Sequence, residues 1–262
     1  MGVAVIIPAR NEAAALGQVL AALPRRLVDD IIVVDNGSTD ATAEVARAGG
    51  ARVITEPVPG YGRACLAGLA ALAPSINTVV FLDGDRSDDP TELPKLLEPI
   101  ASGRADLVIG SRVRRAEPGS LTLQQQFGNR LACALMRWCF GARYTDLGPF
   151  RAIRRETLSR LRMADQTFGW TVEMQAKAAR LRLRVEEVPV AYRRRIGRSK
   201  ISGTLTGTVG AGVGILVTIF RVLLSSLPPQ KVGNSEWGIR NERTVHSELH
   251  TPNSELCPDQ QS

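Results

Sequence analysis

Two aspartates two residues apart, Asp83 and Asp85, end the apolar run in "VVFLDGDRSDDP" (Val79 to Pro90). In an extended segment residues i and i+2 point the same way, so both carboxylates reach one side, and Gly84 leaves room between them. Two such oxygen donors suit a hard octahedral cation, Mg²⁺ or Mn²⁺, of the kind that also binds phosphates. An ordinary acidic turn is the alternative that the pair alone leaves open. Asp88, Asp89 and Pro90 have a local explanation, as capping residues for a helix over 91–100.

Two more polar clusters follow apolar runs: "PARNE" (Pro8 to Glu12) and "DNGSTD" (Asp35 to Asp40). Asp35 ends a strand, Asn36-Gly37 is turn chemistry, and Ser38, Thr39 and Asp40 suit the start of a helix. At a sheet's carboxyl edge, Asp35 is also placed to accept hydrogen bonds from a base or ribose.

These clusters need a frame, and the first half of the chain supplies one. Short β-branched runs, Val3–Ile7, Ile31–Asp35, Arg52–Thr55, Thr78–Leu82 and Leu107–Gly110, alternate with helix-like stretches at Glu12–Leu23, Ala41–Ala48, Arg63–Leu72 and Glu92–Ala101. That rhythm predicts an α/β fold with a mostly parallel sheet and helices on both faces. Ligands in such sheets bind outside the carboxyl ends of the strands, where all three polar clusters fall. The second half reads differently. It has a long helix over Leu121–Phe140, expected to be half-buried, a helix near Trp170–Arg180, a strand-like "RVEEVPVAY", and the basic run "RRRIGRSK".

The 262 residues carry a net charge of +7, mostly as Arg, which favours anionic partners. A nucleic-acid binder fits poorly: aromatics make up 5% of the chain, and no binding module stands out. A dinucleotide-dependent dehydrogenase fits poorly too, because "PARNE" follows the first strand where G-x-G-x-x-G is needed. Cys65, Cys133, Cys139 and Cys257 lack C-x-x-C spacing and read as reduced thiols; "MGVAVIIPARNE" reads as strand and turn, not as a signal peptide. His246 and His250 have ligand spacing but lie in a polar stretch, 228–262, expected to be a disordered tail.

Taken together and in order, "IIPARNEAAAL", "IIVVDNGSTDATAEVA", "GYGRACLAGL" and "VVFLDGDRSDDPTEL" resemble the nucleotide-sugar half of family 2 glycosyltransferases with a GT-A fold. The later "GSR" (Gly110 to Arg112), "DLGPFRAIRR" (Asp146 to Arg155) and "GRSKISG" (Gly197 to Gly203) resemble the polyprenyl-phosphate sugar transferases, the group of dolichol-phosphate mannose synthase. The resemblance implies an inverting transfer from a UDP- or GDP-sugar donor to a polyprenyl or dolichyl phosphate. Residues 1–112 would be the nucleotide-sugar half, and 113–200 the acceptor half of the same domain. Pro8, Arg10 and Glu12 would line the base pocket, with Asp35 on base or ribose. Gly60, Gly62 and Arg63 match the Gly-rich turn near the diphosphate, and Asp83 and Asp85 would hold the metal. Ser87 departs from a Gln common in relatives and leaves a third protein ligand in question. Arg112, Arg151, Ser199 and Lys200 would meet the acceptor phosphate. Asp146 has two readings: a direct role, as general base toward a saccharide or other hydroxyl, or a turn or a salt bridge to Arg151.

The uncharged stretch Ile201–Phe220 is about long enough to span a bilayer, yet its glycines and threonines weaken insertion. Basic residues on both sides suit a helix lying on an anionic leaflet, with a span or a soluble packing helix as alternatives. The expectation for 201–227 is therefore a membrane-associating or packing helix on a peripheral protein at the cytoplasmic face. Any further anchor would come from a separate subunit.

Overall fold

The computed structural model describes residues 2–197 and 205–225. Seven strands form one sheet in the order β3-β2-β1-β4-β6-β5-β7. They are β1 (Val3–Ala9), β2 (Asp30–Asp35), β3 (Arg52–Thr55), β4 (Thr78–Phe81), β5 (Leu107–Ser111), β6 (Arg151–Arg154) and β7 (Val185–Pro189). All neighbours are parallel except β6, which runs antiparallel to both β4 and β5. The five strands expected from β-branched runs are present to within two residues at each end. Because β6 from beyond residue 112 inserts between β4 and β5, both halves of the chain share one sheet.

The strand interiors are apolar at successive positions because both faces are covered. In β1, Val3, Val5 and Ile7 join a core with Leu16, Val19 and Leu20 of α1 (Ala13–Ala22) and Leu93, Leu96 and Ile100 of α4 (Leu93–Ala101). Ala4 and Ile6 face the opposite core, with Ala64 and Cys65 of α3 (Tyr61–Ala70) and Trp170 and Met174 of α7 (Trp170–Arg180). Phe81 meets Trp170 edge-on at 5.8 Å between ring centroids, a favoured aromatic geometry. The remaining helices are α2 (Thr42–Ala48), α5 (Leu123–Phe140), α6 (Arg155–Leu161) and α8 (Leu205–Leu224).

A third core joins Met136 of α5, Val172 and Ala176 of α7, and Ile219 and Val222 of α8. Here α5 departs from expectation. It begins with a full capping box at Thr122 and Gln125, yet it buries just Ala132 and Met136. Leu123 (81% exposed), Phe127 (69%), Leu131 and Trp138 (79%) form an apolar stripe facing outward. Helix α8 does the same with Val213, Val217, Phe220 and Leu224. No helix among the described residues is long and apolar enough to cross a membrane.

Candidate active site

Two cavities open on the carboxyl side of the sheet. The first, about 430 Å³, is walled by Pro8 at the end of β1, Arg10 and Glu12 just after it, and Asp83, Gly84 and Asp85 beyond β4. Its other walls come from Asn36, Pro59 to Tyr61, Thr167, Phe168 and Arg195. The parallel pairing of β1 with β4, Ile6 opposite Phe81, puts "PARNE" and "DGD" side by side. Asp35, across from Ala9 in β2, is not in this wall; its Oδ1 accepts the Ser38 N–H at 3.1 Å.

Asp83 and Asp85 are held differently. Asp83 Oδ1 accepts from the Tyr61 hydroxyl at 3.1 Å. Burial, and then the neighbouring Asp85 charge, push the Asp83 pKa up to about 7. Asp85 is 2% exposed; its Oδ1 accepts from the Ser87 N–H at 2.9 Å and the Ser87 hydroxyl at 2.6 Å. Its Oδ2 accepts from the Arg195 guanidinium. Ser87 is thus spent on orienting Asp85.

Two neighbouring carboxylates, one with its pKa raised by burial and then by the other's charge, fit a divalent cation, which offsets that repulsion. Their hard oxygens suit Mg²⁺ or Mn²⁺. Among the described residues no group of three or more His, Cys, Asp or Glu is placed to hold a metal. The pair can therefore supply at most part of a coordination shell, with the rest left to substrate oxygens and water.

The Gly-rich turn has a packing role. The Gly62 N–H donates to Thr167 O at 3.1 Å and the Arg63 N–H to Gln166 O at 3.1 Å. A Cβ on Gly62 would sit 2.0 Å from the Asp165 carbonyl oxygen, so this approach requires glycine. Gly62 and Arg63 lie outside the cavity wall; what they do is bring Thr167 and Phe168 into it.

The second cavity, about 300 Å³, is lined by Arg112, Glu117, Asn129, Arg130, Thr145 and Asp146 among others. Arg112 follows β5. Its Nε donates to Asp146 Oδ2 at 2.8 Å, its Nη2 to Asp146 Oδ1 at 2.7 Å, and its backbone N–H to Oδ2 at 2.7 Å. The guanidinium also lies 4.9 Å from the centroid of the Tyr192 ring. Burial works against its charge, but the Asp146 carboxylate outweighs this and raises its pKa.

Three expectations change here. Asp146 pairs with Arg112, not with Arg151, and both its oxygens are committed. Arg151, expected at an acceptor phosphate, is 0% exposed; it donates to the Gly148 carbonyl from Nε at 3.2 Å and to the Thr171 carbonyl from Nη1 at 3.0 Å. Burial lowers its pKa to about 10. It supports, from beneath, the loop that presents Asp146. Of the two aspartates expected to cap a helix, Asp89 does so, accepting from the Thr91 N–H at 3.1 Å, whereas Asp88 does not. Asp88 is 1% exposed and, among the described residues, neither carboxyl oxygen has a hydrogen-bond partner. Burial, then the Asp83 charge, raise its pKa well above the usual range. Ser199, Lys200, His246, His250 and Cys257 lie outside the described residues. Cys65, Cys133 and Cys139 are free thiols.

Sequence reasoning did not single out Asn36, Tyr61 or Arg195. Asn36 read as a turn residue, but its Nδ2 donates to Glu56 O at 2.9 Å and Val58 O at 2.8 Å, and its Oδ1 accepts the Gly60 N–H at 2.7 Å. It therefore folds the 56–60 loop into the wall. Arg195 belonged to a basic run whose individual members looked alike.

Comparison with known proteins agrees with this geometry. The model of "Glycosyl transferase family 2" matches residues 4–162. An uncharacterised glycosyltransferase of Mycobacterium tuberculosis is 40% identical over 212 residues, 79% of this chain and 93% of the relative. The undecaprenyl-phosphate mannosyltransferase of Micrococcus luteus is 33% identical, covering 79% and 90%. Glucosyl-3-phosphoglycerate synthase from Mycobacterium tuberculosis, solved with Mn²⁺, UDP-glucose and phosphoglyceric acid, superposes with a TM-score of 0.70 at 27% identity, covering 85% and 79%. The chain belongs to glycosyl transferase family 2, and its architecture is that family's GT-A fold.

Proposed function

We propose that this glycosyltransferase moves a sugar from a nucleoside-diphosphate donor to a polyprenyl phosphate, with inversion and with Mg²⁺ or Mn²⁺ held by Asp83 and Asp85. The observation that carries this reading is the layout of the second cavity. Its polar end holds Arg112 and Arg130, and Leu121 and Gln125 lead from it onto α5, whose outward stripe is Leu123, Phe127, Leu131 and Trp138. A phosphate at Arg112 with an isoprenoid tail along α5 satisfies both ends. Undecaprenyl phosphate is the lipid in the name of the Micrococcus luteus relative, and Mn²⁺ and UDP-glucose accompany the solved neighbour.

The roles follow from charge. Asp83 and Asp85 would hold the divalent cation, which would supply positive charge against the charge that grows on the diphosphate as the sugar departs. Pro8, Arg10 and Glu12 face the nucleotide from the β1 end of the first cavity. Ser87 keeps Asp85 turned to its place. Arg112, held rigid by Asp146 and Tyr192, orients the acceptor phosphate for attack on the face opposite the nucleotide. A phosphate monoester is already an anion, so the step asks little of a general base. Asp146, with both oxygens given to Arg112, acts as a positioning group; this counts against the alternative in which it deprotonates a hydroxyl acceptor. The apolar outer faces of α5 and α8, with Arg130, Arg137 and Arg221 exposed beside them, support residence on a membrane surface, which we place on the cytoplasmic side.

The test is transfer of radiolabel from a panel of UDP- and GDP-sugars, with Mn²⁺, to vesicles containing undecaprenyl phosphate. The expected result is an organic-extractable product with one donor. Label appearing instead on a soluble phosphorylated acceptor such as 3-phosphoglycerate, with none in the lipid phase, would overturn the reading.

A further inference from the structure

Both carboxylate oxygens of Asp85 are engaged, although the residue lines the first cavity. Ser87 takes Oδ1 twice, and the Arg195 guanidinium takes Oδ2. The ion pair is one-sided in exposure: the Asp85 side chain is 3% exposed and that of Arg195 35%. Arg195 reaches Asp85 from a segment stitched to the "DGD" loop by backbone, with Arg193 N–H to Ser87 O at 2.8 Å, Ile196 N–H to Asp85 O at 3.0 Å, and an Asp88–Tyr192 bridge. The backbone is thus pinned, while the guanidinium sits at the end of a flexible stem in the wall of the first cavity.

We propose that Arg195 stands in for the divalent cation in the empty enzyme, leaves Asp85 when cation and donor arrive together, and passes to the diphosphate. The inference rests on reading Asp83 and Asp85 as the cation pair. A positive charge is favoured there in either state, because two carboxylates two residues apart on one cavity wall, one of them buried, repel. Without donor, Arg195 meets that need and competes with the cation. With donor, a diphosphate in the same cavity offers the guanidinium a bidentate partner of the kind it prefers. Breaking the Arg195–Asp85 pair is then compensated, and Asp85 becomes free to ligate.

A linkage consequence follows. If the cation-competent state is a fraction of the empty enzyme, the apparent cation affinity falls by that fraction. Donor binding raises the fraction, so cation and nucleotide must each strengthen the other by the same factor. Removing the Arg195 charge should therefore tighten cation binding in the absence of nucleotide, whereas loss of an ordinary site residue weakens it.

The experiment is Mn²⁺ titration by electron paramagnetic resonance, with and without UDP, on the full chain and on Arg195→Gln, Arg195→Lys and Asp85→Asn. Thermal melts confirm folding. Arg195→Gln should bind Mn²⁺ alone at least about 5-fold tighter than wild type and show a smaller gain on adding UDP, with Arg195→Lys in between. Unchanged or weaker Mn²⁺ binding by Arg195→Gln, while Asp85→Asn abolishes it, overturns the stand-in and leaves the cation pair intact. Mn²⁺ binding that is indifferent to Asp85→Asn removes the cation pair, and the stand-in falls with it.

Discussion

Around Asp83 and Asp85 much of the wall comes from the ends of the parallel strands β1, β2 and β4, completed by the 59–61 turn, Thr167, Phe168 and Arg195. Around Arg112 it comes from the 112–122 loop, the first turns of α5 and the 141–150 loop, braced by a buried arginine. In the first cavity the positions of the residues at the ends of β1, β2 and β4 are determined by hydrogen bonding within the sheet. The second is lined by groups whose positions depend on side chains brought from far along the chain. That difference suits the two tasks: a donor with a constant diphosphate needs a stiff cradle, and a long-tailed acceptor needs an opening onto a surface. It also says where each region should break.

The sharpest contrast is between Asp85 and Arg112. Asp85→Asn should cost on the order of 10³-fold in kcat with any acceptor, because it removes transition-state stabilisation of the leaving group. Arg112→Lys keeps the charge but loses the bidentate grip on Asp146. It should cost on the order of 10-fold to 10²-fold, with KM for the acceptor rising and KM for the donor steady. Steady-state kinetics with both substrates varied checks this; a matching rise in donor KM would mean the cavities are not separate.

Next in size is Arg151, which tests whether the second region depends on its brace. Arg151→Met fits the volume but removes the guanidinium donors that reach the Gly148 and Thr171 carbonyls. Each such loss costs about 1–3 kcal/mol, so a destabilisation of about 3 kcal/mol is expected from urea unfolding. Double substitution of Phe127 and Trp138 by Ser should instead leave stability within about 0.5 kcal/mol. It should weaken binding to anionic vesicles by about 10²-fold or more in a flotation assay, since each aromatic contributes on the order of 1.5–3 kcal/mol when buried and about 1.4 kcal/mol is tenfold. Unaltered vesicle binding would remove the outward stripe of α5 from the membrane argument.

The same contrast explains what could be read in advance. Strands β1 to β5 were legible because each is a short run of β-branched and apolar residues, and the residues at the carboxyl ends of β1, β2 and β4 line the first cavity. Strand β6, "RAIR", was not, because its arginines read as surface charge; only the carbonyls of Leu147, Gly148 and Thr171, unknowable from spacing, make Arg151 a core residue. The outward face of α5 escaped for the opposite reason: an apolar helix in a globular chain is expected to bury its stripe, and this one turns it out. Arg195 lies 110 residues from Asp85, a separation over which no local pattern carries information.

Asp88 lies between the two regions and gives the smallest test of how they are joined. The groups facing it are Asp83 and Asp85 on one side, Arg112 and Asp146 on the other, and Tyr192 on the bridging segment. Its carboxyl is buried without a hydrogen-bond partner among the described residues, and its pKa is raised well above 3.8 by burial first and by Asp83 second. The sign follows from proton counting. Between the unfolded and folded pKa values the native state holds a proton that the unfolded chain has lost, so this group's contribution is full at low pH and fades as pH rises toward the folded value. Asp88→Asn keeps the shape and removes the titration. Measured by chemical unfolding in EDTA, the variant should gain on wild type as pH rises from 4 to 8, by at least about 1.4 kcal/mol, the equivalent of one pKa unit. A gap between the two proteins that stays flat with pH would mean that Asp88 is ionised in the folded enzyme. The Arg112 side, not the Asp83 side, would then dominate its surroundings.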